Sequence, residues 1–357
     1  MKGLFFIVGP TAVGKSEIAA DVARNLNAEI VNADAFQVYS GLDLLTAKPE
    51  AAILAKATHH LIAAVPVHEE MNAEKFRRIA LSAIEEIHSR GKLAIVVGGS
   101  GLYIKALTHG FVSLPAVDPR LRAQLNRLSL DRLRQKMVEL DPDGARGIDM
   151  KNRRRLVRAI EICLLTGRPA SAQRTQWSPV EAAVPGGGPR MSKSDSGAAA
   201  ETAASTAAPS TDGGDRRRVS QRETSTADSA SRGENCAAGI FVFRDRDELY
   251  ARINRRVDAM FERGVIEEVR AARAMSGTAS KMIGLREIRE LLDGKMSVLQ
   301  CVAQIQQATR RYAKRQLTWF RGQTNFRPLN LSLLTHNEAV KWISQAARAF
   351  GVVQRDD

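Results

Sequence analysis

The sequence predicts an α/β fold, a parallel sheet flanked by helices, on three observations. An apolar run, Leu4 to Val8, enters a glycine-bounded loop, and a helical pattern leaves it, with Ile18, Ala19, Val22, Ala23 and Leu26 recurring at three- and four-residue steps. A second run, Leu93 to Val97, is apolar throughout, as strands buried on both faces are. Between these lie Ala28 to Ala33, which reads as a strand, and Ala73 to Arg90, which reads as an amphipathic helix burying Phe76, Ile79, Ala80, Ala83, Ile84 and Ile87. Strands alternating with helices build parallel sheets.

The first loop, Gly9-Pro10-Thr11-Ala12-Val13-Gly14-Lys15-Ser16, fits G-x-x-x-x-G-K-[ST] without mismatch. Its glycines let backbone N–H groups turn inward, and the following helix adds its positive dipole end. Lys15 can reach terminal phosphates, and the Ser16 hydroxyl can hold magnesium. The pattern predicts a cradle for a di- or triphosphate. A plain glycine turn with a surface lysine is the bland alternative, and the strand and helix on either side speak against it.

The chain has 357 residues, with 53 Lys and Arg against 39 Asp and Glu, a net charge of +14. That balance points to a polyanionic partner such as nucleic acid. Cys163, Cys236 and Cys301 stand far apart with no C-x-x-C, so neither a disulfide framework nor a zinc finger is expected. No apolar run approaches the length of a membrane span, so no membrane partner and a cytoplasmic location are expected.

Asp34 falls just past the predicted strand 28–33, at the carboxyl edge where open α/β sheets bind ligands. His59-His60 lacks the i, i+4 spacing of a helical metal pair. The strand Leu93 to Val97 ends in Gly98-Gly99-Ser100-Gly101 and carries no aspartate, where a phosphoryl-transfer enzyme would place its magnesium acid. From Asp118 to Gly167 the pattern is helical and basic, densest at Lys151, Arg153, Arg154, Arg155 and Arg158.

Ser178 to Cys236 contains no Leu, Ile, Phe, Tyr or Trp and is near neutral, with seven Lys and Arg and eight Asp and Glu. It cannot bury enough apolar surface to offset ordering entropy and is expected to be disordered. Ile240 to Phe243 reads as a strand, Leu249 to Arg273 as one long charged helix, and Val298 to Arg321 as a basic helix closed by Trp319 and Phe320. A last amphipathic helix follows from Asn337.

In order, GPTAVGKS, DAFQVYSGLD with TAKP, HHLI, EKFRR, VVGGSGLYIKAL, RRRLVRAIEICLLTGR, MIGLREI and TRRYAKRQLTWFR resemble the tRNA dimethylallyltransferases, the isopentenyl transferases that modify the adenosine beside the anticodon. The resemblance covers residues 1–177 and about 237–327. It implies a P-loop NTPase-like core in two parts, 1–112 and 237–330, and a helical insertion, 113–177, holding the tRNA anticodon stem-loop. The polar insert 178–236 would loop out, and 331–357 would form a tail helix. The implied reaction moves a dimethylallyl group from dimethylallyl diphosphate to the exocyclic amine of adenosine, with magnesium as cofactor and a monomer as the expected state.

By the same resemblance, Gly9, Pro10, Thr11, Ala12, Val13, Gly14, Lys15 and Ser16 would grip the diphosphate, with Ser16 on the metal. Asp34, Lys15, Thr11 and Arg286 would be catalytic, Asp34 taking the amine proton and Arg286 adding a cation at the diphosphate. Asp34, Ala35, Phe36, Gln37, Ser100, Arg122, Arg154, Arg155, Leu156, Val157, Arg158, Lys281, Met282, Ile283, Gly284, Leu285 and Arg286 would meet the tRNA. The chain departs from the family pattern at Val13, at Leu45 where glycine is usual, at Ala63 where aspartate is frequent, and at Leu285 where an aromatic is usual. An isopentenyl transferase for free adenine nucleotides is an alternative that the basic segments disfavour. A nucleotide-switched RNA-binding protein is another, which the missing aspartate disfavours.

Overall fold

The computed structural model describes residues 3–110, 115, 117–174, 239–272, 274–323 and 325–352. The expected disorder of 178–236 lies outside the described residues. The first half of the chain runs β1 (Leu4–Val8), α1 (Lys15–Leu26), β2 (Glu29–Asn32), α2 (Ala51–Leu54), β3 (His59–His60), α3 (Ala73–Ser89), β4 (Ala94–Gly98) and α4 (Gly101–His109). A helical segment follows: α5 (Pro119–Arg127), α6 (Leu130–Leu140), α7 (Pro142–Gly147), α8 (Arg153–Thr166) and α9 (Ala170–Arg174). The second half contributes β5 (Gly239–Phe243), α10 (Arg246–Glu262), α11 (Val265–Ala271), α12 (Leu285–Leu292), α13 (Val298–Arg321), β6 (Arg327–Asn330) and α14 (His336–Val352).

The six strands form one sheet in the order β3-β2-β4-β1-β5-β6. Every pairing is parallel, with β1 registered against β4 from Leu4↔Ala94 to Val8↔Gly98. Alternation along β1 explains why its run is apolar throughout. Leu4, Phe6 and Val8 enter one core, with Phe76 of α3, Ile104 of α4 and Phe320 of α13. Phe5 and Ile7 enter the other, with α1 and α14. The helices α5 to α9 bury an apolar cluster of their own around Leu133, Met137, Leu156 and Ile160.

One sequence expectation changes. The helix expected from Leu249 to Arg273 is two helices, because Gly264 adopts a left-handed φ of 90° and starts a new one. His59-His60 is a short edge strand, registered beside Ile30 and Val31, and the His60 Nε2 lies 2.8 Å from the Glu29 carboxylate. Among the described residues no helix is long and apolar enough to cross a membrane. Cys163 and Cys301 are both free and buried.

Candidate active site

β1 and β4 lie side by side at the centre of the sheet, and their carboxyl ends open a crevice there. The phosphate loop follows β1, and Asp34 follows β2. Gly9 is demanded by β5: a Cβ there would stand 2.2 Å from the Val242 carbonyl oxygen. Gly14 takes a φ of 97° as the residue that starts α1, and Ala12 shares the left-handed region at 64°. Arg252 of α10 donates its Nε–H to the Ala12 carbonyl at 2.9 Å, and Arg244 donates its own to the Val13 carbonyl at 2.9 Å. In a trans peptide the N–H opposes the C=O, so the amides of Val13 and Gly14 face away from these arginines. The Thr11 amide is otherwise engaged, donating to Gln316 Oε1 at 2.9 Å.

The Lys15 ammonium donates to the Pro10 carbonyl at 3.1 Å. One side of Lys15 stays open to the cleft, yet protein surrounds the rest. Burial pulls its pKa down to about 8, with Asp34 pulling upward and Arg256 adding to the fall. The Asp34 carboxylate caps its own turn, accepting from the Phe36 amide at 2.9 Å and the Gln37 amide at 3.3 Å. Ser100 accepts from the Ala35 amide at 2.9 Å, so the start of α4 holds the same turn from below.

Two cavities meet here. An outer cleft of about 820 Å³ is lined by the phosphate loop, Asp34, the 43–51 loop, one face of α10 carrying Arg252, Arg255 and Arg256, and Arg263 just past its end. An inner cavity of about 60 Å³ is walled by Leu45, Val257, Met260, Phe261, Met282 and Ile305. Thr11, Asp34 and Arg256 line both. Arg256 is held to a pKa of about 10, by burial first, with Asp34 opposing, and its Nε is buried without a hydrogen-bond partner among the described residues. Tyr312 lines the inner cavity with its hydroxyl pKa pushed up, by burial first and then by Asp34, and Ser100 within hydrogen-bonding reach. An anion held by loop and arginines would thus sit beside a carboxylate and an apolar chamber.

The 43–51 loop is clamped from two sides. Gln37 donates to the Thr46 and Ala47 carbonyls at 3.3 and 2.9 Å, and Glu268 of α11 accepts from the Leu44 and Leu45 amides at 2.8 Å each. Leu45, where the family pattern has glycine, lies outside the left-handed region and lines the inner cavity beside Gly284.

Thr11, Lys15, Ser16, Asp34 and Gln37 gather at the outer cleft, and Phe36, Met282 and Ile283 line the inner cavity. Arg286 does not join them. Its side chain is 73% exposed and pairs with Glu287 and Glu290 on its own helix, whereas the arginines lining the outer cleft belong to α10 and the residue after it. Leu156, Val157 and Leu285, expected at the tRNA, have their side chains buried in apolar cores. Arg122 and Arg158 both pair with the fully buried Glu161. Arg154 and Arg155 are exposed at the start of α8. Lys281 comes close enough to Arg154 and Arg122 that, after burial, their charges lower its pKa. Arg252, Arg256, Glu268 and Gln316 escaped the sequence reading. The i, i+4 spacing of Arg252 and Arg256 was the available signal for a cationic stripe.

A sequence model of the family described as IPP transferase matches residues 37–188 and 212–323. The chain is 36% identical over 327 residues to the tRNA dimethylallyltransferase of Akkermansia muciniphila, covering 92% of this chain and 93% of that one. It is 38% identical over 318 residues to tRNA dimethylallyltransferase 1 of Citrifermentans bemidjiense, covering 87% of each. The crystal structure of a full-length tRNA isopentenylpyrophosphate transferase from Bacillus halodurans superposes with a TM-score of 0.60 at 29% identity over 99% of both chains. A eukaryotic dimethylallyltransferase acting on tRNA shares the fold, with a TM-score of 0.66 at 23% identity over 92% of this chain and 74% of that one. The match over most of its length and these close relatives establish that the chain belongs to the IPP transferase family.

Proposed function

We infer that this protein transfers a dimethylallyl group from dimethylallyl diphosphate to the exocyclic amine of the adenosine 3′ to the anticodon in tRNA, releasing diphosphate. One observation carries the reading: Thr11, Asp34 and Arg256 line both the cleft that holds the phosphate loop and the apolar chamber behind it. A diphosphate ester placed across that junction has its leaving group among cations and its scissile carbon beside a carboxylate.

The amine nitrogen attacks the first carbon of the donor, a new carbon–nitrogen bond forms, and the carbon–oxygen bond breaks with its electron pair leaving on the diphosphate. Lys15, Arg256 and the loop amides meet that developing charge. The Thr11 hydroxyl adds a donor at the same place. Asp34 accepts the proton that the amine must lose. The adenine must leave its stack to reach the chamber, which the Phe36, Met282 and Ile283 side chains make apolar.

Magnesium fits the donor set. Ser16 offers a hard hydroxyl oxygen in the outer cleft, and magnesium is usually held by few protein oxygens together with substrate phosphates. When bound, it would neutralise charge on the diphosphate. Cations for the anticodon stem-loop come from Arg154, Arg155 and Lys281, with Asp34, Ala35, Gln37 and Ser100 nearest the reacting base. Every group needed lies within one chain, which fits a monomer working in the cytoplasm beside its tRNA. A free adenine nucleotide as acceptor is not favoured.

The test is incubation with dimethylallyl diphosphate, magnesium and unmodified tRNA, followed by mass analysis of the nucleosides. Alkylated adenosine beside the anticodon is expected. Folded protein that leaves that base unmodified overturns the reading.

A further inference from the structure

Gln316 sits where β1 and β4 part. The last backbone bond between their ends runs from the Gly9 amide to the Gly98 carbonyl at 3.2 Å. Pro10 has no N–H to continue the ladder, no further backbone bond joins the two loops among the described residues, and the Gln316 side chain links them instead. Its Oε1 accepts from the Thr11 amide at 2.9 Å, and its Nε2 donates to the Gly99 carbonyl at 2.9 Å. The side-chain amide thus continues the ladder by one rung, acting as a peptide unit borrowed from α13. Gly99 is part of the fit, since a Cβ there would stand 2.4 Å from Gln316 Nε2.

The two ends of this rung belong to opposite sides of the reaction. Thr11 is in the loop that grips the leaving group. Gly99 precedes Ser100, whose hydroxyl holds the turn of Asp34 through the Ala35 amide. Gln316 is buried, at 6% exposure, and lines neither cavity, so it stands behind the cleft with its amide turned to the two loops. One turn back on the same face, Tyr312 lines the inner cavity, followed by Thr309 and Ile305.

We propose that Gln316 is a positioning residue that fixes the distance between the diphosphate-gripping loop at Thr11 and the proton-accepting side at Ser100 and Asp34. The role rests on the proposed function, because only a two-sided reaction needs that distance held. Gln316 touches neither substrate. It acts by keeping Thr11 from drifting away from the Asp34 turn at the point where the strands no longer hold each other. Misplacing reacting groups by about 1 Å can cost roughly 100-fold in rate.

The experiment compares Gln316→Met, which keeps the shape and removes both hydrogen bonds, with Gln316→Glu, which keeps the acceptor for Thr11 and sets an oxygen against the Gly99 carbonyl. For each, kcat, KM for donor, tRNA affinity and thermal midpoint are measured beside the wild type. The expected result is a fall in kcat of roughly 10- to 100-fold in both, with tRNA affinity within about twofold of wild type and protein still folded by circular dichroism. Wild-type kcat in either folded variant overturns the role. So does a loss of activity that follows only the folded fraction. Failure of both variants to fold would make the amide a scaffold group and overturn it as well. The wild-type chain separates the two claims: if it fails to alkylate tRNA, the proposed function falls, whereas normal wild-type turnover with unaffected variants removes only the role of Gln316.

Discussion

Arg252 donates its Nε–H to the carbonyl oxygen of Ala12 at 2.9 Å, joining the cationic face of α10 to the outward side of the phosphate loop. Ala12 holds a left-handed φ of 64°, which a residue with a Cβ adopts only when its surroundings impose it. The guanidinium does so by capturing the carbonyl that this conformation turns outward. Arg252→Ala is expected to loosen the loop by about 1.5 kcal/mol, the worth of one hydrogen bond to a charged group. That corresponds to about a tenfold rise in donor KM. Arg252→Lys should not restore it, because an ammonium lacks the planar fork that meets the carbonyl from the side. Steady-state kinetics with varied donor reads the effect, and an unchanged KM in Arg252→Ala would remove the tie.

Lys15 is a cation that the fold holds at a disadvantage. In the unfolded chain it keeps its proton to the ordinary value of 10.5, and in the fold it loses it near 8. Between those values the unfolded chain binds the extra proton, so this group makes stability rise with pH across the window, and below about 8 the buried charge destabilises the fold. Lys15→Met is therefore expected to raise the urea midpoint at pH 7 while losing donor binding. The stability gap between variant and wild type should shrink towards pH 10. For the wild type, donor affinity should fall as pH rises through about 8, since the loop then loses its cation unless binding takes up a proton. Parallel urea titrations and donor binding at several pH values check both halves. A variant less stable than wild type at pH 7 would contradict the account.

The core of this site was legible because its signals are local. The phosphate loop is contiguous, the apolar run from Leu4 to Val8 fixes the strand before it, and Asp34 follows its own strand by two residues. Arg252, Arg256, Glu268 and Gln316 were not legible, because each acts on a loop more than 200 residues away in the chain. Nothing in the spacing of Arg252 and Arg256 says which face of α10 meets the crevice. Likewise Leu156, Val157 and Leu285 sit inside basic motifs, and only packing shows that their side chains turn inward. The break of the long helix at Gly264 was signalled by the glycine, but an isolated glycine is often tolerated inside helices.

Arg256 and Arg286 separate cleanly. The first lines both cavities with a buried Nε that is unpartnered among the described residues, and the second is exposed and paired on its own helix. Arg256→Ala is expected to lower kcat by roughly 100-fold or more, in the range seen when one charge-stabilising donor is removed. Arg286→Ala should leave kcat within about threefold, because exposed ion pairs contribute little. Single-turnover rates at saturating donor make the comparison. A larger loss in Arg286→Ala than in Arg256→Ala would return the diphosphate cation to α12.

Asp34 has two duties that one substitution can divide. Its Oδ1 caps the turn through the Phe36 and Gln37 amides, and the carboxylate faces the crevice. Asp34→Asn keeps an oxygen for the turn and removes the proposed base. Its kcat is expected to fall by roughly 100- to 10,000-fold with tRNA affinity retained. Asp34→Ala should lose the turn as well and weaken tRNA binding in addition. Filter binding with single-turnover kinetics distinguishes them, and Asp34→Asn with wild-type turnover would end the assignment of the base.

Arg122 and Arg154 predict opposite phenotypes although both are arginines of the helical segment. Arg122 pairs with Glu161, which is fully buried and also takes Arg158 at 2.8 Å. Removing Arg122 leaves that carboxylate short of a partner, and breaking a buried pair costs about 3–5 kcal/mol, less where the cation was partly exposed, as here. Arg122→Ala is thus expected to act first on stability, lowering the thermal midpoint by several degrees. Arg154 stands exposed in the first turn of α8, where the helix end adds positive potential, and Lys281 is its neighbour. Arg154→Ala should leave the midpoint unchanged and weaken tRNA binding at every sequence. The slope of log affinity against log salt should drop by about one, because a single phosphate then keeps its counterion on binding. Measuring both variants by thermal melts and by tRNA binding at several salt concentrations decides the matter. An Arg154→Ala protein with an unaltered salt slope would show that the RNA backbone passes elsewhere.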